Sequence, residues 1–342
     1  MKSVRLLFLL FLCLAACRQD SNTVTPAFYY WKTTWQSNAA TEAVRRQVAP
    51  QKLYTRIADV GWNGTAQMPQ PHDQLRNPAA LPKGTEIIPV LFVELPALRN
   101  LKTAAQSEKL AADMARLFQS YEKTGGWKTS EYQVDCDWTE SISEPYFELL
   151  KALKKQPQLA GKTLSATIRL YRIKYRGKTG LPPVDRGLLM CYNTGNFRDP
   201  FAPNSILHLP EVQEYLGQLE SYPLPLDLAL PLFRWTLWFK QDNFAGIVRG
   251  LDPDSLAQYL FLKQEGDLYR CTLDTLLKGY PLQKGDLLKS ESPSPEAVAQ
   301  TAKWVSSRMP NKKFSIAFYH LDSLLLQKFT PHELQNIVQN CR

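Results

Sequence analysis

Glu131-Tyr132-Gln133-Val134-Asp135-Cys136-Asp137-Trp138-Thr139-Glu140 is the stretch on which the reading of this chain turns. In an extended strand side chains alternate faces, so Gln133, Asp135, Asp137 and Thr139 share one side while Val134, Cys136 and Trp138 share the other. One face is polar and the other apolar. Apolar runs flank this one along the chain, so it reads as a central strand whose carboxylates line a cavity.

Moving outward, further strand-like runs occupy 27–35, 52–60, 86–94, 163–171, 187–193, 226–239 and 314–320. Helical patterns separate most of them. The clearest runs from Ala104 to Lys123, with Leu110, Met114, Leu117 and Tyr121 at three- and four-residue steps before Gly125 and Gly126 stop it. Another spans 143–156, with Ser143 as its cap and Pro145 in its first turn. Eight strands alternating with helices imply parallel strands joined by right-handed crossovers, the arithmetic of a (β/α)8 TIM barrel in the α/β class. An open doubly wound sheet competes, but no Gly-rich loop follows any strand, as a nucleotide site there requires. More than fifty residues after the seventh strand break the alternation. Residues 259–277 read as two strands about Glu265-Gly266-Asp267 and 285–289 as a third, giving a small, mainly antiparallel insertion at about 241–292.

Lys2 and Arg5 precede an apolar run at 6–12 that ends in Leu14-Ala15-Ala16-Cys17. This is the pattern of a bacterial secretory signal, with a run too short for a membrane span. It resembles a lipobox, which implies removal of 1–16, a lipid on Cys17, a tether over 17–26 and a barrel over 27–342. The expected address is the bacterial cell envelope, at the outer membrane, with the membrane reached through that lipid. Loss of Lys2 and Arg5 lowers the formal charge from +9 to +7. The basic residues are scattered, so nucleic acid is not an expected partner. No C-x-x-C occurs, and His72, His208, His320 and His332 lack metal-ligand spacing, so neither a metal nor a cofactor is expected. A monomer is expected.

Active sites of such barrels collect at the C-terminal strand ends. Those ends here are rich in aromatics and carboxylates: Trp31, Glu94, Asp135, Asp137, Arg169, Tyr192, Asn193, Trp235 and His320 among them. Sugars present apolar ring faces to Trp and Tyr, and hydroxyls to carboxylates, amides and Arg, so a glycan ligand is expected. Asp135 and Asp137 lie two apart on one strand, placing their carboxyls about 6–7 Å from each other. In a cavity one of the pair should have a raised pKa, as a general acid needs. Alternatively Arg56 or Arg169 neutralises the pair, which then only fixes the barrel interior. Trp235 and Trp238, three apart, face opposite ways, so one reaches the cavity. Trp31 and Trp35 share a face. His320 reads as a hydrogen-bonded structural residue.

Gln133-Val134-Asp135-Cys136-Asp137 and Met190-Cys191-Tyr192-Asn193 resemble the fourth- and sixth-strand motifs of chitinase-type glycoside hydrolases, D-x-x-D-x-D-x-E and M-x-Y-D/N. They resemble still more closely an uncharacterised group of secreted barrel proteins with a Q-x-D-x-D strand. The resemblance implies that Tyr192 and Asn193 contact the reacting sugar. With Asp135 and Asp137 as the second and third Asp of the pattern, Thr139 stands where the general-acid Glu belongs. Shifted by two, Asp137 becomes the acid, tuned by Asp135, with Glu94, Arg56, Arg169, Trp31 and Trp235 as further sugar contacts. The first register implies a non-catalytic glycan-binding or structural lipoprotein, the second a glycoside hydrolase.

Overall fold

A computed structural model describes residues 22–342. The signal, Cys17 and the tether up to residue 21 lie outside the described residues; Thr23 to Pro26, expected in the tether, belong instead to the first strand, so the barrel begins before residue 27. With strands numbered along the chain, eight parallel ones close into a barrel: β1 (Thr23–Tyr30), β2 (Lys52–Asn63), β4 (Glu86–Val93), β5 (Glu131–Asp135), β6 (Thr163–Arg169), β7 (Arg186–Met190), β8 (Leu226–Pro231) and β16 (Lys313–Tyr319). Each pairs with its neighbour in the ring, and β1 closes it by pairing with both β2 and β16. The (β/α)8 architecture is therefore that expected from the alternation of strands and helices.

The two faces of β5 show how the pattern builds the barrel. Tyr132, Val134, Cys136 and Trp138 point outward into the layer between strands and helices, where all four are buried. The Tyr132 ring stacks on Phe118 of helix α1 (Ala104–Gly125) with centroids 4.5 Å apart. Helix α1 opens on a capping box of Thr103 and Gln106 and closes on Gly126, whose φ of 66° suits the left-handed cap. Cys136 and Cys191 are free and buried, behaving as small apolar side chains.

Inward, β5 sends Glu131, Gln133 and Asp135 into the lumen, and side chains from other strands of the ring meet each one. Lys52 Nζ lies 2.6 Å from Glu131 Oε2, and Ser165 Oγ donates to Glu131 Oε1 at 2.6 Å. Gln133 donates to Ser165 Oγ at 3.2 Å and accepts from the Tyr29 hydroxyl. Across the lumen, Arg186 and the Tyr54 hydroxyl both donate to Asp227, at 3.0 and 3.2 Å. Buried polar groups must be paired in this way.

Several boundaries differ from the sequence expectation. The seventh barrel strand stops at Pro231, and β9 (Trp235–Lys240) belongs to the insertion rather than to the barrel. Both segments are apolar and β-prone, so periodicity alone fuses them across Leu232–Arg234. The insertion thus begins before residue 241. It is a five-stranded antiparallel sheet, ordered β10 (Asn243–Ile247), β9, β15 (Leu287–Glu291), β12 (Leu268–Cys271) and β11 (Leu262–Glu265), with a separate hairpin of β13 (Thr275–Leu277) and β14 (Tyr280–Leu282). Gly266, at φ 67°, turns β11 into β12. Strand β3 (Met68–His72), antiparallel to β2, has no counterpart in the sequence pattern. Pro69 and Pro71 disguise it, though prolines are tolerated at an edge. Asn63 Oδ1 accepts from the amides of Thr65 and Ala66 at 2.9 Å and makes the turn into it. The first strand ends at Tyr30, so Trp31 and Trp35 do not share a face: Trp35 packs on Tyr30 with centroids 4.7 Å apart. Ser143 is the first residue of helix α2 (Ser143–Lys154), not its cap, and its hydroxyl donates to Glu140 O.

The Glu131–Lys52 pair generates a test. Glu131 is almost wholly buried, and burial raises its pKa despite Lys52. Lys52→Met should cost about 3 kcal/mol in chemical denaturation. Losing the ammonium raises the Glu131 pKa further, so the deficit should be larger at pH 8 than at pH 5, where Glu131 can take a proton in the folded state.

Candidate functional site

The C-terminal ends of the strands surround a cleft of about 430 Å3. Trp31 follows β1, Asp135 ends β5 with Asp137 just beyond it, and Arg169 ends β6. Tyr192 and Asn193 follow β7, Phe233 and Trp235 follow β8, and Tyr319 and His320 close the ring; all of these line the cleft, together with Asp59, Phe92 and Met190. Most of the residues expected from the sequence therefore converge: Trp31, Asp135, Asp137, Arg169, Tyr192, Asn193 and Trp235.

The two carboxylates have different surroundings. Asp135 is buried at the cleft floor, and the Thr167 hydroxyl donates to its Oδ1 at 2.5 Å. Burial first, then the charge of Asp137, push its carboxyl up to about 7, against the lowering pull of Thr167 and Arg169. Asp137 is half-exposed at the mouth and accepts from Arg169 with both oxygens, through Nε to Oδ1 and Nη2 to Oδ2 at 2.7 Å. That is the bidentate fork geometry of guanidinium and carboxylate. Thr139 is exposed, and its hydroxyl pairs with Ser141 at 3.1 Å. It lies beyond the strand and does not line the cleft.

Aromatic rings form much of the wall. Tyr192, Phe233 and Tyr319 pack edge to face or tilted at 5.4–5.9 Å, and Tyr319 reaches Trp31 at 6.0 Å. Trp235 faces the cleft while its indole N–H is held by Glu291 Oε2 of the insertion at 2.8 Å. Trp238 faces the other way into the core of the insertion, bonded to Asp286 at 2.9 Å. Asn193 takes a left-handed conformation, φ 54°, which Asn tolerates better than most residues, and its amide donates to Ile206 O at 2.8 Å. Burial pushes the His320 imidazole down to about 4, and its Nδ1 finds no hydrogen-bond partner among the described residues.

Arg56 and Glu94 sit differently from Asp137 and its neighbours. A bulge between Arg56 and Ala58 lets Arg56 and Asp59, three apart, meet at 2.6 Å. The Arg56 guanidinium also lies over the Trp31 ring at 5.4 Å. Glu94 is outside the cleft wall, 3.2 Å from His72 Nε2, and together with Asp59 these two form a group able to hold a metal ion. Sequence reasoning missed this group because its members come from three strands and share no spacing. It also missed Phe233, for which the fused reading of 226–239 leaves no place.

Solved structures share this architecture. The C-terminal domain of a putative chitinase from Desulfitobacterium hafniense aligns with a TM-score of 0.60 at 11% identity, over 94% of this chain and 100% of that one. The spore cortex-lytic enzyme SleL of Bacillus cereus aligns at 0.58 and 14% identity, over 94% and 75%. The chain has the fold of the chitinase-type barrels. The class V chitinase of Nicotiana tobaccum, solved as a mutant in complex with NAG4, aligns at 0.51 and 12% identity, over 94% and 99%. Neither a protein-family model nor a curated protein matches the chain.

The raised Asp135 pKa makes folding lose stability as pH rises from the unfolded carboxyl range to about 7, since the buried group must then ionise. Asp135→Asn removes that dependence. Relative to wild type, the variant should gain about 3 kcal/mol more at pH 8 than at pH 5 in urea titrations.

Proposed function

We propose that this chain is a lipid-anchored protein of the bacterial envelope, a monomer whose barrel mouth binds a glycan without cleaving it. The Arg169–Asp137 pair carries the reading. A chitinase-type mechanism needs a carboxyl that gives a proton to the leaving oxygen. In the first register that position is Thr139, which is exposed outside the cleft and bears no acidic proton. In the second it is Asp137, whose two oxygens are both spent on guanidinium N–H donors. Either way the mouth lacks a free acid at the scissile position, while aromatic and polar side chains suited to a sugar still line it. Trp31, Trp235 and Phe233 offer ring faces, and Asn193 and Asp135 offer polar partners. The fold shared with a chitinase solved in complex with NAG4 supports N-acetylglucosamine oligomers as the first ligands to try. The anchor rests on Lys2, Arg5, the apolar run at 6–12 and Cys17.

Calorimetric titration with the N-acetylglucosamine tetramer should show one site per chain. Trp31→Ala and Trp235→Ala should each weaken it about tenfold, or ~1.4 kcal/mol. Heat that does not saturate, or affinity unchanged in both variants, would remove the mouth as a glycan site.

A further inference from the structure

The geometry points to a divalent-cation site at the rim of the mouth, built from Asp59, His72 and Glu94 and suited to an ion of the zinc class. One ligand atom from each residue lies within 4.8 Å of the others. Three neighbouring strands supply them. Asp59 on β2 is the direct register partner of His72 on β3, and on its other side it pairs with Phe92 of β4, two residues before Glu94. All three side chains therefore rise on one side of the sheet edge.

Two features beyond proximity support the assignment. First, His72 is oriented as a ligand: Nε2 faces Glu94 Oε1 at 3.2 Å, while Nδ1 lies 3.4 Å from Asp73 Oδ2. The nearby carboxylate favours the tautomer with its proton on Nδ1, which leaves Nε2 to bind a metal. Second, residue 61 is a glycine beneath the cluster. A Cβ there would stand 2.7 Å from both Glu94 Oε2 and His72 Nε2, so any side chain at 61 would displace the two ligands from their present positions. Asp59 is held from behind, with Arg56 on Oδ1 at 2.6 Å and Oδ2 left for the ion.

One imidazole and two carboxylates favour zinc over calcium, which prefers an all-oxygen shell. Three protein ligands leave positions open to water or to a ligand group. Asp59 also lines the glycan cleft, so an ion here would stand at its edge. The site does not depend on whether the cleft binds a glycan.

The test uses the full chain without a tag, stripped with a chelator and titrated with Zn2+, Mn2+ and Ca2+. Expected is one Zn2+ per chain, bound more tightly than Ca2+, with a rise in Tm on loading. His72→Ala and Glu94→Gln should each weaken Zn2+ at least tenfold and abolish the Tm rise, with circular dichroism unchanged because both side chains lie at the rim. Asp73→Asn should weaken it less than either. No saturable uptake, uptake unchanged in both variants, or tighter binding of Ca2+ than of Zn2+ would each overturn the assignment.

Discussion

A closed ring of parallel strands forces every second side chain into a buried lumen, and in this chain β5 supplies Glu131, Gln133 and Asp135 to that space. An unpaired charge or amide there costs several kcal/mol. Other strands of the ring therefore carry matching partners: Lys52 of β2 and Ser165 of the neighbouring β6 for Glu131, Tyr29 of β1 and Ser165 for Gln133, and Thr167 of β6 for Asp135. The ladder continues upward to Asp137, where Arg169 from the same neighbouring strand meets the last carboxylate of the series. The same pairing that stabilises the lumen thus occupies the carboxylate at the mouth.

Asp135 and Asp137 illustrate how environment separates two identical groups two residues apart. Asp135 lies below the mouth, desolvated and beside a like charge, and its pKa rises to about 7. Asp137 stands half in solvent against a guanidinium. The group with the acid's pKa lies at the floor, and the group at the mouth is tied up. This division suits the proposed role, in which the cleft holds a glycan and protonates no leaving group.

The alternation of polar and apolar residues made the barrel legible, because a period of two in β5 and β6 has one physical meaning when both flanks are apolar. It also located the cleft, since the strand ends follow from the strands. What escaped was set by contacts remote in sequence. Trp235–Lys240 reads as a continuation of β8, and only its pairing with β15 assigns it to the insertion. Proline hid β3, and with it His72. Arg169 was one of two cations able to meet the Asp pair, and the bulge in β2 that turns Arg56 toward Asp59 leaves Arg169 for Asp137. Asp59, His72 and Glu94 meet only because β2, β3 and β4 are adjacent, so no local spacing announces them.

The central claim is that the Arg169–Asp137 pair leaves the mouth able to hold a glycan but not to cut it. The most direct measurement incubates the N-acetylglucosamine tetramer with a molar equivalent of protein and follows oligomer length by mass spectrometry. The account predicts an intact tetramer at every time point. Shorter oligomers formed by the wild type and lost in Asp137→Asn or Asp135→Asn would contradict it.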